Sequence, residues 1–195
     1  MYKVYGRVQS RASRVIWLLE ELGQPYELVQ VGPRDPEVAA LNHTGKIPVL
    51  VDGDHVISDS SAIMTYLADK HGAFTYPAGS YERAIQDSLF HAILDELDAV
   101  LWVAARHVFV LPEDKRVPAV RDAAMWEFDQ NFKRLERRFQ GPFLLGDEMT
   151  IADILLVHCM SWAKGVGFPL NSDMLKTYGK QMRSRPAYNR LADLN

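Results

Sequence analysis

Three short stretches carry residue types able to bind and activate a small ligand. Ser10 opens the first, Ser10-Arg11-Ala12-Ser13, and a hydroxyl at that place can donate a hydrogen bond to a bound thiolate. A free thiol has a pKa of about 8.5, so only about 3% of it is ionised at pH 7. The thiolate is the nucleophile. Lowering that pKa by one unit takes about 1.4 kcal/mol of differential stabilisation. A hydrogen bond to a charged group supplies about 1.5–3 kcal/mol, and a nearby helix N-terminus adds to it. The structural alternative stays equally open: Ser10 or Ser13 simply caps the following helix.

The second stretch is Lys46-Ile47-Pro48. A proline that opens a strand after a Gly-Lys turn is a candidate cis peptide. A cis bond would turn the Ile47 backbone outward, to pair like a sheet edge with a short extended peptide. Cis X-Pro bonds make up only about 5–6% of such bonds, so the residues alone favour an ordinary trans proline starting a strand. The third stretch is Ser58-Asp59-Ser60-Ser61. It is rich in helix-capping residues. A helix N-terminus with free N–H groups and a hydroxyl also binds a carboxylate, and an acidic side chain beside it can hold an amino group. Together these suit the amino-acid end of a zwitterionic ligand.

The elements around these stretches fall into two halves. Lys3-Val4-Tyr5 and Tyr26 to Val31 read as strands, as do Pro48 to Val51 and His55 to Ser58. Asp52-Gly53-Asp54 joins the last two as a hairpin. Val15, Leu18, Leu19 and Leu22 mark a helix over Ser13 to Leu22, stopped by Gly23. Asp35 to Leu41 and Asp59 to Lys70 are two more. The order is βαβαββα, a small sheet covered by helices. After Tyr76-Pro77-Ala78-Gly79-Ser80, a linker-like stretch, only helical periods remain. Ile85, Leu89, Ile93, Leu97, Val100 and Ala104 line one long helix; Met125, Phe128, Phe132, Leu135 and Phe139 line the next. A third begins at Thr150, where Thr150 and Asp153 form a capping box and Met149 and Ile154 a hydrophobic staple. That motif fixes a buried helix, and its removal should cost about 1 kcal/mol or more. A helix bundle follows. The expected domains are residues 1–74 and 81–195.

Of the 195 residues, 48% are hydrophobic and the formal charge is -3. That supports a packed core and gives no clustered basic footprint for nucleic acid or a membrane surface. The runs Glu113 to Arg116 and Arg134 to Arg138 read as solvated faces. One cysteine, Cys159, allows no internal disulfide and no Cys-x-x-Cys centre; on an apolar helix it reads as core. The histidines show no metal-binding spacing, so no metal is expected. The start lacks a signal-peptide profile, and no apolar run is long enough to cross a bilayer. A reducing, cytoplasmic setting is the default expectation.

The three stretches also occur in the order and at the spacings of the soluble glutathione transferases, and the chain resembles that family. Ser10 through Glu27 looks like the first helix and second strand of bacterial serine-type members. Asn42-His43-Thr44-Gly45-Lys46-Ile47-Pro48-Val49-Leu50 looks like the cis-proline segment, Asp59-Ser60 the acidic-Ser pair, Thr150-Ile151-Ala152-Asp153 the helical-domain capping box, and Arg185-Pro186-Ala187-Tyr188 a late helix. Members often carry proline where His43 stands, which implies an altered loop or an added contact here. The resemblance implies a thioredoxin-like N-terminal domain and an all-helical C-terminal domain. It implies glutathione held by the Ile47 backbone beside Pro48, by Ser60 at the γ-glutamyl carboxylate, by Asp59 near the amino group and by Lys46 at the glycine carboxylate. Ser10 is the implied thiol-activating residue, with Ser13 and then Tyr5 behind it.

On this resemblance the expected activity is conjugation of the glutathione thiolate to small hydrophobic electrophiles, a detoxifying role, in a homodimer. The electrophile is expected between the domains, near Val8, Trp102, Arg106 and Val110, with Arg106 favouring an anionic or electron-poor substrate. Peroxide reduction, dehalogenation or isomerisation on the same scaffold, and a non-catalytic binding module, are the alternatives.

Overall fold

A computed structural model describes residues 1–194. They form two compact units: residues 1–78 with 183–194, and residues 79–182. The first unit holds strands β1 (Tyr2–Gly6), β2 (Tyr26–Gln30), β3 (Val49–Asp52) and β4 (His55–Ser58), with helices α1 (Ala12–Leu22), α2 (Pro36–Leu41) and α3 (Ser60–His71). The sheet order is β2-β1-β3-β4. β1 runs parallel to β2, with Val4 opposite Leu28; β3 is antiparallel to both neighbours, with Val4 opposite Leu50 and Val49 opposite Ser58. This mixed sheet with its terminal hairpin is the thioredoxin-like arrangement, and every strand and helix expected over residues 1–71 is present.

Local chemistry fixes the helix ends. α1 buries Val15, Ile16, Trp17, Leu18 and Leu19 and stops where Gly23 turns left-handed at φ 62°. α2 starts with Pro36 after Asp35, whose carboxylate accepts from Glu37 N–H. α3 is capped by the Asp59 side chain at its start and by left-handed Gly72, φ 61°, at its end.

Residues 183–194 close the first unit. Helix α9 (Pro186–Asn189) and the 3-10 turn Arg190–Leu194 follow helix α8 (Asp173–Arg183) of the second unit. Arg185 donates to both carboxylate oxygens of Glu21, Nε at 2.6 Å and an Nη at 2.8 Å. The Trp17 indole donates to the same carboxylate at 2.9 Å. The Tyr188 ring meets Trp17 edge-on at 4.8 Å. Arg190 pairs with Glu20, and Gln30 donates to the Leu194 carbonyl at 2.9 Å. The helical domain expected over residues 81–195 thus ends earlier: these contacts place 183–194 against α1 and β2 of the first unit. Arg185→Ala is expected to cost about 2 kcal/mol of stability, because the Glu21 side chain, only 8% exposed, loses a two-pronged cation partner. A urea denaturation midpoint measured beside wild type checks it.

The second unit is all helical: α4 (Tyr81–Ile93), α5 (Ala99–Ala105), α6 (Ala119–Glu136), α7 (Ile151–Gly165) and most of α8. The single long helix read from the sequence is interrupted by two π-helical turns, Leu94–Asp98 and Arg106–Val110. In the second, the Leu111 N–H reaches the Arg106 carbonyl five residues back, at 2.9 Å. α6 ends at Glu136, so Phe139, expected on its apolar face, lies beyond it and packs edge-on against Tyr178 at 5.1 Å. α8 carried no reading in the sequence at all.

α7 is the centre of this unit, with ten buried residues including Cys159. Its capping box is present, and the Asp153 carboxylate does more than cap. It accepts from Thr150 N–H at 2.8 Å, Thr150 Oγ1 at 3.1 Å, Leu144 N–H at 2.9 Å and the Tyr178 hydroxyl at 2.7 Å. Burial pushes the Asp153 carboxyl up, and these donors pull the other way. The Tyr178 hydroxyl is pushed up by its own burial and then by the Asp153 charge. Phe128 and Phe132 stack at 5.8 Å, with Phe168 edge-on to Phe128 at 5.7 Å. No helix among the described residues is long and apolar enough to cross a membrane.

Candidate functional site

The first unit brings its three chemical stretches to one end of the sheet. Gly6 ends β1, and a Cβ there would lie 2.6 Å from the Ala12 Cβ and 3.8 Å from the Ile47 Cβ. The start of α1, the end of β1 and Ile47 therefore meet where only glycine fits. Ser10 lies in the turn just before α1. Its Oγ donates to the Arg7 carbonyl at 2.7 Å and accepts from Ala12 N–H at 3.1 Å. The hydroxyl thus closes the turn; the N-cap position of α1 itself falls to Arg11, with no side-chain cap bond. Ser13 Oγ donates to the Ser10 carbonyl at 2.9 Å, which ties the two serines together. Tyr5 is half-buried in β1, opposite Val29 and Val49.

The Ile47-Pro48 peptide is cis, against the trans preference of the residues taken alone and in line with the family resemblance. The loop before it is pinned by Asn42. The Asn42 Nδ2 donates to the Lys46 carbonyl at 2.9 Å, and its Oδ1 accepts from Thr44 N–H and Thr44 Oγ1 at 3.2 and 2.9 Å. His43 and Lys46 are exposed on this loop. Ile47 and Pro48 lie just outside the ladder, whose first pair is Val49 with Ser58. Pro48 precedes Val49 and Asp59 follows Ser58, so the cis peptide and the start of α3 flank that pair.

Asp59 holds a left-handed backbone, φ 77°, a conformation costly for a non-glycine residue. Its own bonds hold it there: Oδ1 accepts from Ser61 N–H at 2.8 Å and Ala62 N–H at 3.1 Å. That oxygen, expected near a ligand amino group, is engaged as the α3 cap. Ser60, only 2% exposed, accepts through Oγ from the Arg14 guanidinium at 3.2 Å. Nothing in the sequence motifs singles out Arg14 for this place. It sits on α1 four residues before Leu18 and is 1% exposed. Its spacing from Leu18 was the signal that an arginine shares the apolar face.

In the helical unit, Trp102 is half-buried on α5, and none of the five residues of the Arg106–Val110 turn is buried. The i→i+5 bonding there means that a step of four residues no longer guarantees Arg106 and Val110 a common face. Val8 is half-buried in the turn between β1 and α1.

A thioredoxin-like unit with a cis-proline loop near a serine-tipped helix, followed in the chain by an all-helical unit, is the two-domain architecture of the glutathione transferases. Family models agree: residues 4–75 match the glutathione S-transferase N-terminal domain, and residues 99–186 the glutathione S-transferase C-terminal domain. The chain is 32% identical over 178 residues to human glutathione S-transferase theta-2B, covering 83% of this chain and 71% of that one. Among solved structures, it matches a theta class glutathione S-transferase of Xanthomonas axonopodis pv. citri with glutathione bound, at 28% identity and TM-score 0.78, covering 97% and 95%. It also matches a glutathione transferase of Phanerochaete chrysosporium with oxidized glutathione, at 27% identity and TM-score 0.83, covering 98% and 93%. The chain belongs to the glutathione S-transferase family.

Proposed function

We propose that this chain is a glutathione transferase of the bacterial serine type, joining the glutathione thiolate to small hydrophobic electrophiles. The observation that carries this reading is the junction of cis-Pro48 with the Asp59-Ser60 helix start, beside the Ser10 turn. In it, the Ile47 backbone pairs with the cysteinyl segment of glutathione, Ser60 receives the γ-glutamyl carboxylate, and Lys46 meets the glycine carboxylate. The second oxygen of Asp59 stays available to the amino group. Ser10 is the catalytic residue. In the free protein its hydroxyl donates to the Arg7 carbonyl; a bound thiolate, as a charged acceptor, competes for that hydrogen bond through rotation of one side-chain torsion. The rate gain comes from thiolate stabilisation and from holding both reactants in one place. Val8, Trp102, Arg106 and Val110 are the assigned electrophile contacts. The wider reading includes a homodimer, a cytoplasmic setting and a detoxifying role.

The test is a glutathione titration that follows far-ultraviolet thiolate absorbance across pH, beside conjugation of an activated aryl halide. Saturable binding with thiolate formed below pH 8 and turnover of the halide is the expected result. Binding without thiolate formation or turnover would reduce the chain to a glutathione carrier, and absence of binding would remove the reading altogether.

A further inference from the structure

The surroundings of Ser60 leave it with a defined pair of donors. Among the described residues, the first N–H groups of α3 are taken in turn. Ser61 and Ala62 donate to the Asp59 side chain, and Ile63 donates to the Asp59 carbonyl at 2.9 Å. Ser60 N–H is the one these bonds do not use. A serine hydroxyl has one proton and two lone pairs. The Arg14 guanidinium donates into one lone pair of Ser60 Oγ, so the serine proton must point away from Arg14. Backbone N–H and side-chain O–H of one residue then form a two-donor fork suited to a carboxylate.

Charge points the same way. An anion arriving at this fork meets the Asp59 carboxylate on the neighbouring residue, and a bare helix N-terminus contributes only about half a positive charge. The buried guanidinium supplies a full one from behind Ser60.

We propose that Arg14 is a positioning residue for the ligand α-carboxylate: it orients the Ser60 hydroxyl proton outward and offsets the Asp59 charge. This rests on the glutathione reading given above. It adds a requirement that reading does not contain, that recognition of the γ-glutamyl α-carboxylate depends on a side chain that does not itself touch the ligand.

The experiment compares glutathione with 4-aminobutanoyl-cysteinyl-glycine, which lacks only that carboxylate. Dissociation constants are taken by calorimetry for wild type, Arg14→Gln, Arg14→Lys, Ser60→Ala and the Arg14→Gln/Ser60→Ala double variant, each below its measured Tm. Wild type is expected to prefer glutathione at least tenfold. Arg14→Gln should weaken glutathione about tenfold and leave the decarboxylated peptide within twofold. Arg14→Lys, which keeps the charge, should recover part of the loss and serves alone where the glutamine variant does not fold. The double variant should lose less than the sum of the two single losses, since both remove the orientation of the same Ser60 proton. Equal losses for both peptides would make Arg14 a strut between helices and overturn the proposal. So would an unchanged glutathione affinity, or losses that add in the double variant. Failure of wild type to bind either peptide would instead overturn the glutathione reading, and this proposal with it.

Discussion

Asp153→Ala is expected to destabilise the helical unit by about 3–5 kcal/mol, several times the cost of an ordinary helix cap. The Asp153 side chain is fully buried and accepts from four donors on three segments: Thr150 twice, the Leu144 N–H and the Tyr178 hydroxyl. Truncation leaves those donors buried without their acceptor, and each orphaned donor costs about 1–3 kcal/mol. Tyr178→Phe removes a single donor and should cost about 1 kcal/mol. A pair of guanidinium denaturation curves separates the two. A loss near 1 kcal/mol for Asp153→Ala would show that the carboxylate serves α7 alone and does not tie α8 and the Leu144 loop to it.

Ser10→Ala is expected to lower kcat for conjugation by about 10- to 100-fold, the equivalent of one hydrogen bond to a charged acceptor at about 1.5–3 kcal/mol. The glutathione dissociation constant should change less than threefold, because the peptide backbone and both carboxylates are held elsewhere. The pKa of the bound thiol should rise by about one to two units toward its free value. Stopped-flow turnover read across pH, with thiolate absorbance alongside, measures all three. The variant also loses the bond to Arg7 and the acceptor for Ala12 N–H, so its Tm belongs beside the kinetics. Unchanged turnover would leave Ser10 with its turn-closing bonds alone, and the same experiment on Ser13→Ala would come next.

How far the sequence reached depends on whether a feature leaves a local pattern. The strands, α1, α3 and the Thr150 capping box are written in alternation, in three-and-four spacing and in glycine stops, and all are found where those signals lie. The π turns are not, because inserting one residue into a hydrogen-bonded turn needs no special side chain, and Ile85 through Ala104 keep an apolar period across the first of them. Phe139 continues the α6 period but belongs to the contact with Tyr178, which only the folded chain brings near. At the candidate site, Ser10, Pro48, Asp59 and Ser60 were legible because each sits at the start of an element. Arg14 was not, since its meaning depends on Ser60, 46 residues away. Asp59 was visible as an acidic residue at a helix start, yet sequence could not say that one of its oxygens is committed to Ser61 and Ala62.

The return of residues 183–194 to α1 sets an order for biosynthesis. Arg185 lies 164 residues after its partner Glu21. At about 5–20 residues per second, a ribosome needs roughly 8–33 s to cover that distance. Throughout that interval Trp17 lacks the Tyr188 ring and Glu20 and Glu21 lack their arginines, while the segments of the helical unit emerge one after another. The unit translated first is therefore the last to be completed, and a nascent chain stalled after α8 would carry every residue assigned to glutathione on a scaffold still missing its clasp.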